Sequence, residues 1–426
     1  MILRVTRGVL ASIILLLCGC TSTKSVAPLN VALEEDYIPL QEEVWAIAQA
    51  DSLHETLLSK GMVVKDEQAD ALFLTVKHRL LKDQPQIAEH IRIYLLRSPD
   101  ANAAALPNGI IYIHAGLFPI LDNEDQLAAI IGHEIAHVVD RHSLRAVINQ
   151  KNTFIGAHVA DLMTGGLGLV YFPALASLSS FSREQEEEAD MQAVIWLQAA
   201  GYQPEAAIEV FRNFTTIPGA QHNQASIYSS HPSQQQRIAS LEQQLSVKEA
   251  TPSPSPDLSP EFLAVRVTQT EAVVEMHLRD HRYILAETDL DRIAGNLPQQ
   301  SRVEYYRGEI DFGRARNPGD ATREAYWIQS GKTNFSSANY ELFENQKDQN
   351  LQQAVLHYNL AANGEPQQVN AMKRLGEVYL YQGDNQEAVN WLRRYLNTAP
   401  DAGDERYVNS LIKKAQNTNT RKEIES

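Results

Sequence analysis

The chain is poor in several things. Only two of its 426 residues are cysteine, and both, Cys18 and Cys20, fall in the first 20 positions. A disulfide-stapled fold or a thiolate metal site in the body of the protein is therefore excluded. Cationic residues are also short: 37 Lys and Arg stand against 53 Asp and Glu, a formal charge of −16. Nucleic acid needs a cationic face, so it is not the expected partner, and charge alone does not dock the chain on anionic lipid. What is present is ordinary globular material, 44% hydrophobic and 21% charged. That composition excludes a wholly disordered, collagenous or polytopic membrane chain. The length allows two to four domains.

The N-terminus reads as an export signal. Arg4 and Arg7 precede an apolar run, Val9 to Leu17, too short to span a bilayer. It ends Leu17-Cys18-Gly19-Cys20, which resembles a bacterial lipobox. That resemblance implies a signal peptide over residues 1–19, an acylated Cys20 and a tether over 20–34. Thr21, in place of Asp, implies sorting to the periplasmic side of a Gram-negative outer membrane.

Beyond the tether, Leu33 to Leu81 is patterned mostly as helix, broken at Gly61. Residues 91–95 and Gly109 to His114 read as strands, with Pro107-Asn108-Gly109 as a turn signal. Asn123 with Gln126 predicts a capping box at the start of a long amphipathic helix. Residues 162–181 carry no charge. Their length would permit a membrane span, but Gly165, Gly166, Gly168 and Pro173 break it, and an apolar loop or helix pair beside an active site is expected. Helical patterning resumes over Arg183–Ala200, Pro204–Asn213 and Ser233–Leu245.

Thr251-Pro-Ser-Pro-Ser-Pro256 marks a linker, placed at 246–262. A helical connector is expected over 263–300 and repeats over 301–426. Ala354 and Ala388, Tyr358 and Leu392, and Pro366 and Pro400 are each 34 residues apart. Leu375, Gly376, Tyr379, Gly383, Ala388, Leu392 and Pro400 fall where a tetratricopeptide repeat places its framework residues. Leu342–Pro366 reads as a weaker copy, and Tyr305–Gly308 with Ala325 and Trp327 as another.

The chemistry centres on His133-Glu134-Ile135-Ala136-His137. Residues four apart share a helix face, so both imidazoles can reach one ion, and Glu134 is placed to take a proton from its water. Gly and His at 140 and 143 would mark the long metzincin form; Asp140 and Ser143 exclude it. His142 lies off the ligand face and reads as structural or as a support behind the ligands. Downstream, Glu186 and Asp190 are again four apart. A carboxylate ligand with an acid bracing a ligand histidine makes a coherent pair.

Together, His133–His137, Arg183-Glu-Gln-Glu-Glu-Glu-Ala-Asp190, and Ser230-His231-Pro232 followed by Arg237 resemble the M48 zinc metallopeptidases over residues 35–245. The resemblance implies one zinc per chain on His133, His137 and Glu186, Glu134 as general base, and Asp190 as support. It brings His231 to the zinc, either as oxyanion donor or as a resting fourth ligand. Arg237 would fix that loop or the substrate carbonyl. Asn102–Leu117 resembles the strand beside the family's cleft, so a substrate would lie along Ile110, Tyr112 and His114. The implied fold is mainly α, an α+β peptidase domain with a small sheet at the active-site edge, followed by a helical solenoid. The implied function is hydrolysis of misfolded or stalled envelope proteins, with the barrel-assembly machinery as a possible partner of the repeats. The alternative is a non-proteolytic chaperone or assembly factor for outer-membrane proteins.

Overall fold

The computed structural model describes residues 26–149, 181–222, 234–245, 259–297, 299–332 and 346–425. Cys18, Cys20, His231 and all but Phe181 of the uncharged stretch lie outside the described residues.

The chain enters as part of the body. Val26 and Leu29 are buried in two different apolar clusters, and Leu29–Ala32 forms a single helical turn. Arg141 and Arg145 donate to the carbonyls of Ala27 and Val26. The tether expected over 20–34 is thus too long: from residue 26 onward Val26 and Leu29 are packed and the Val26 and Ala27 carbonyls are hydrogen-bonded.

Helix α1 (Gln41–Ser59) ends before Gly61, whose φ of +66° a glycine adopts without a Cβ clash. After β1 (Val63–Val64), Asp66 caps α2 (Glu67–Leu80) by accepting from the backbone N–H groups of Gln68 and Ala69. Helix α3 (Pro85–His90) leads into β2 (Arg92–Leu96), β3 (Ala103–Ala105) and β4 (Ile110–His114). The sheet order is β1-β2-β4-β3. Strand β4 runs parallel to β2 and antiparallel to β3. Every residue of β4 is buried. Ile111 and Ile113 join the core against the helices, while Ile110 and Tyr112 join a second cluster with Leu53 and Leu57 of α1.

Helix α4 (Glu124–Val139) crosses the sheet beside β3. Asn123 accepts from the Gln126 N–H as expected. The reciprocal bond is displaced: the Gln126 side chain caps the N–H of Asp122. Helices α5 (His142–Asn149), α6 (Arg183–Ala200), α7 (Ala206–Thr215) and α8 (Gln234–Gln244) complete the layer. A Cβ on Gly132 would stand 3.4 Å from the Ala193 Cβ, so α4 and α6 approach closely one residue before His133.

The core does not stop at the Pro/Ser stretch. In α9 (Pro260–Arg279), Phe262, Val265 and Val273 are fully buried in the same cluster as Ile131, Ile135 and Phe214. Ser259 donates to Glu124 and Gln269 to Asp66. The connector expected over 263–300 is helical, but it does not lie outside the peptidase side: α9, which begins inside the linker expected over 246–262, packs as a helix of that core. Helix α10 (Tyr283–Ile293) extends it toward α11 (Gln300–Arg316).

Helix α12 (Pro318–Ser330) follows, then α13 (Lys347–Asn363), α14 (Val369–Gln382), α15 (Asn385–Thr398) and α16 (Glu405–Glu425). These last four, with Phe312 and Ala315 of α11, share a separate core. Gly376 lets α14 and α15 close up, since a Cβ there would lie 2.5 Å from Leu392. The copy expected from Tyr305–Gly308 with Ala325 and Trp327 is not a local pair. Gly308 instead packs under Tyr358 of α13, and Trp327 reaches back to Gly219 and His222. Among the described residues, no helix is long and apolar enough to cross a membrane.

Candidate metal centre

Three buried donors converge where α4 meets α6. His133 Nε2 and His137 Nε2 stand 3.0 Å apart. Glu186 offers Oε2 at 3.4 Å from the first and Oε1 at 3.9 Å from the second. Donors on one tetrahedral zinc stand roughly 3.3–3.4 Å apart. The observed spacings bracket that value, and two imidazoles with a carboxylate are a zinc-type donor set. The residues present therefore fit the ion.

Local sequence fixes this arrangement. The i, i+4 spacing puts both imidazoles on one face of α4. On α6 the Ser182–Gln185 capping box pins the first turn, so Glu186 and, one turn on, Asp190 face α4. His133 Nδ1 lies 3.0 Å from Asp190 Oδ1. His137 Nδ1 lies 2.9 Å from His142 Nδ1, and the Phe181 ring stacks on His137 at 3.9 Å and 18°. Glu134 is fully buried and lines a cavity of about 30 Å³ with His133, Phe211 and Arg237. That is enough for a single water.

Arg237 packs directly against the donors. Its Nε and Nη2 donate to the two oxygens of Asp190 at 2.8 and 2.6 Å, and its Nη1 pairs with Glu186 Oε2 at 2.7 Å. Only 2% of it is exposed, and its guanidinium covers the Phe211 ring. Its Nε and Nη2 are thus committed to Asp190, and Nη2 also comes within 3.3 Å of His133 Nδ1. In the described structure Arg237 holds Asp190 and Glu186; the loop it is expected to fix lies outside the described residues.

The charges follow from these contacts. Burial alone would raise the Asp190 carboxyl, but the Arg237 charge and hydrogen bonds hold it below the usual range. Burial and Arg237 press His133 down; hydrogen bonds to Asp190 and Glu186 outweigh them and lift it to about 9. Without metal this histidine carries a proton, which a metal has to displace. Burial, with the nearby Arg145 charge, takes His142 down to about 4, so it is neutral.

The substrate strand needs correction. β4 has a partner on each side, so Ile110, Tyr112 and His114 have no free edge to offer. Tyr112 bonds to His54, and burial lowers His114 to about 4. Among the described residues, the edge strand next to α4 is β3. It lies inside the Asn102–Leu117 stretch that resembles the cleft strand, but its Ala-Ala-Ala sequence carries no strand signal of its own, so the expectation settles on Ile110–His114 instead.

Residues 75–245 match peptidase family M48. Among similar proteins, the mitochondrial metalloendopeptidase OMA1 of Schizosaccharomyces pombe is 30% identical over 155 residues, 36% of this chain and 46% of that one. The beta-barrel assembly-enhancing protease of Escherichia coli K12 is 24% identical over 344 residues, 74% of this chain and 66% of that one. Its namesake in Yersinia pestis is 23% identical over 287 residues, 65% and 57% of the two chains. The matched stretches thus span between about half and two thirds of these relatives. The stretch that matches peptidase family M48 thus carries the two histidines four apart on α4, the glutamate between them and the third donor on α6.

Proposed function

We propose that the protein is a zinc-dependent endopeptidase acting on misfolded or stalled envelope proteins at the periplasmic face of the outer membrane. The observation that carries the reading is the convergence of His133, His137 and Glu186 within 4.8 Å, with Glu134 on the same helix. When bound, zinc would supply Lewis acidity and a water whose pKa is lowered to ~7. His133, His137 and Glu186 would hold it. Glu134 accepts the proton of the attacking water and passes it to the leaving amine. Asp190, itself clamped by Arg237, keeps the His133 ring oriented. The substrate chain pairs with the outer edge of β3 and so lies alongside α4.

The relatives named as beta-barrel assembly-enhancing proteases support the envelope assignment, and the helices α13–α16 support a partner-binding role built on tetratricopeptide-type pairs. The separate core of α13–α16 also favours a second reading, a chaperone or assembly factor that cuts rarely. Glu134→Gln separates the two. It preserves shape but accepts no proton, so casein cleavage is expected to fall at least ~100-fold with zinc near one per chain. Full rescue of an envelope defect by this variant would favour the chaperone. Loss of zinc along with activity would make Glu134 a ligand and refute its role as base.

A further inference from the structure

The two ligand histidines are backed by different chemistry. Behind His133 stands a carboxylate, Asp190; behind His137 stands another imidazole, His142. His142 is fully buried and opens α5 just past the end of α4. The turn between them is made by Arg141 at φ +55°, a left-handed conformation that non-glycine residues rarely hold. It is held by its ion pair to Glu43 at 2.8 Å and its bond to the Ala27 carbonyl. This turn folds His142 back beneath His137. On its far side, His142 Nε2 lies 3.5 Å from Glu188 Oε2, and the Glu188 side chain is 65% exposed.

We propose that His142 is a positioning residue that accepts a hydrogen bond from His137 Nδ1–H and so fixes which nitrogen His137 presents to the metal. A proton count leads there. If His137 gives its Nε2 lone pair to the ion, its remaining proton sits on Nδ1. At 2.9 Å, two ring nitrogens share one proton between them. His142 Nδ1 must then be the acceptor, and the His142 proton must be on Nε2, on the side of Glu188. Phe181, stacked on the His137 ring, restricts its tilt. The ring is thus set in tautomer and in orientation before metal arrives.

The inference rests on the zinc assignment above, and its test keeps the two apart. The full chain carrying Glu134→Gln, which is expected not to digest itself, serves as parent. Zinc affinity is read by competition with a fluorescent chelator, and melting is followed with and without zinc. His142→Leu is expected to bind zinc 10- to 100-fold more weakly, the scale for losing the outer partner of a ligand histidine. The zinc-free melting temperature should move less than the zinc-bound one. The amide oxygen of His142→Asn stands where Nδ1 stands and should restore most of the affinity. In His142→Gln the amide reaches the Nε2 position and should not. Equal affinities for the asparagine and glutamine variants, or a leucine variant within twofold of parent, would reduce His142 to a space-filling residue. A parent that binds no zinc would overturn the metal site itself.

Discussion

At the scale of single residues, the site combines groups of two kinds. His133, Glu134 and His137 are legible from spacing, because the period of a helix is a local property. Glu186 and Asp190 share that legibility on α6. Arg237 is different: its partners lie 47 residues away at Asp190 and 104 away at His133. No local pattern encodes such a pairing, so the sequence directs Arg237 to the site without saying which way it faces. The buried pairing has a measurable consequence. Arg237→Met removes the counter-charge of two buried carboxylates, and breaking such a pair costs about 3–5 kcal/mol. The unfolding free energy from denaturant titration is expected to drop by that scale in metal-free protein, and the midpoint with it. Added zinc should recover part of it by neutralising Glu186. An unchanged midpoint in metal-free protein would show that Arg237 contributes no structural clamp.

At the scale of elements, strong local signals set the boundaries well. α6 runs from Arg183 to Ala200, as patterning predicts. α9 also reads as helix, but nothing in its sequence says which core receives it. Proline and serine before it signal a linker, and a linker signal describes backbone chemistry, not where the next helix docks. The packing of α9 makes a clear expectation. Phe262→Ala empties a fully buried position in the core that also holds Ile131 and Ile135, and about 3–5 kcal/mol is the usual cost. A chain ending at Lys248 loses the whole helix, and is expected to aggregate or to fail to hold zinc. A soluble, zinc-loaded fragment of that length would show that α9 is dispensable to the metal centre.

At the scale of the whole molecule, the attachment of the chain matters most. We propose that Cys20 carries the lipid. Cys20→Ala should then abolish labelling by radioactive palmitate, whereas Cys18→Ala should leave it intact; label on the Cys20 variant would remove the anchor. Five residues and six backbone steps separate Cys20 from Val26, whose side chain is already buried. Fully extended, they reach roughly 20 Å. A lipid there would keep the peptidase body within about one domain radius of the bilayer, with the end of α4 on the anchored side through Arg141 and Arg145. The passage of α9 into the peptidase core has a further consequence at this scale. Covalent continuity across the Pro/Ser stretch is not what joins the two halves. Cut at an engineered site between residues 252 and 256, the molecule should run as two bands in denaturing gels and as one particle in native ones. The two polypeptides, produced separately in the same cell, should find each other and rebuild a metal-binding protein.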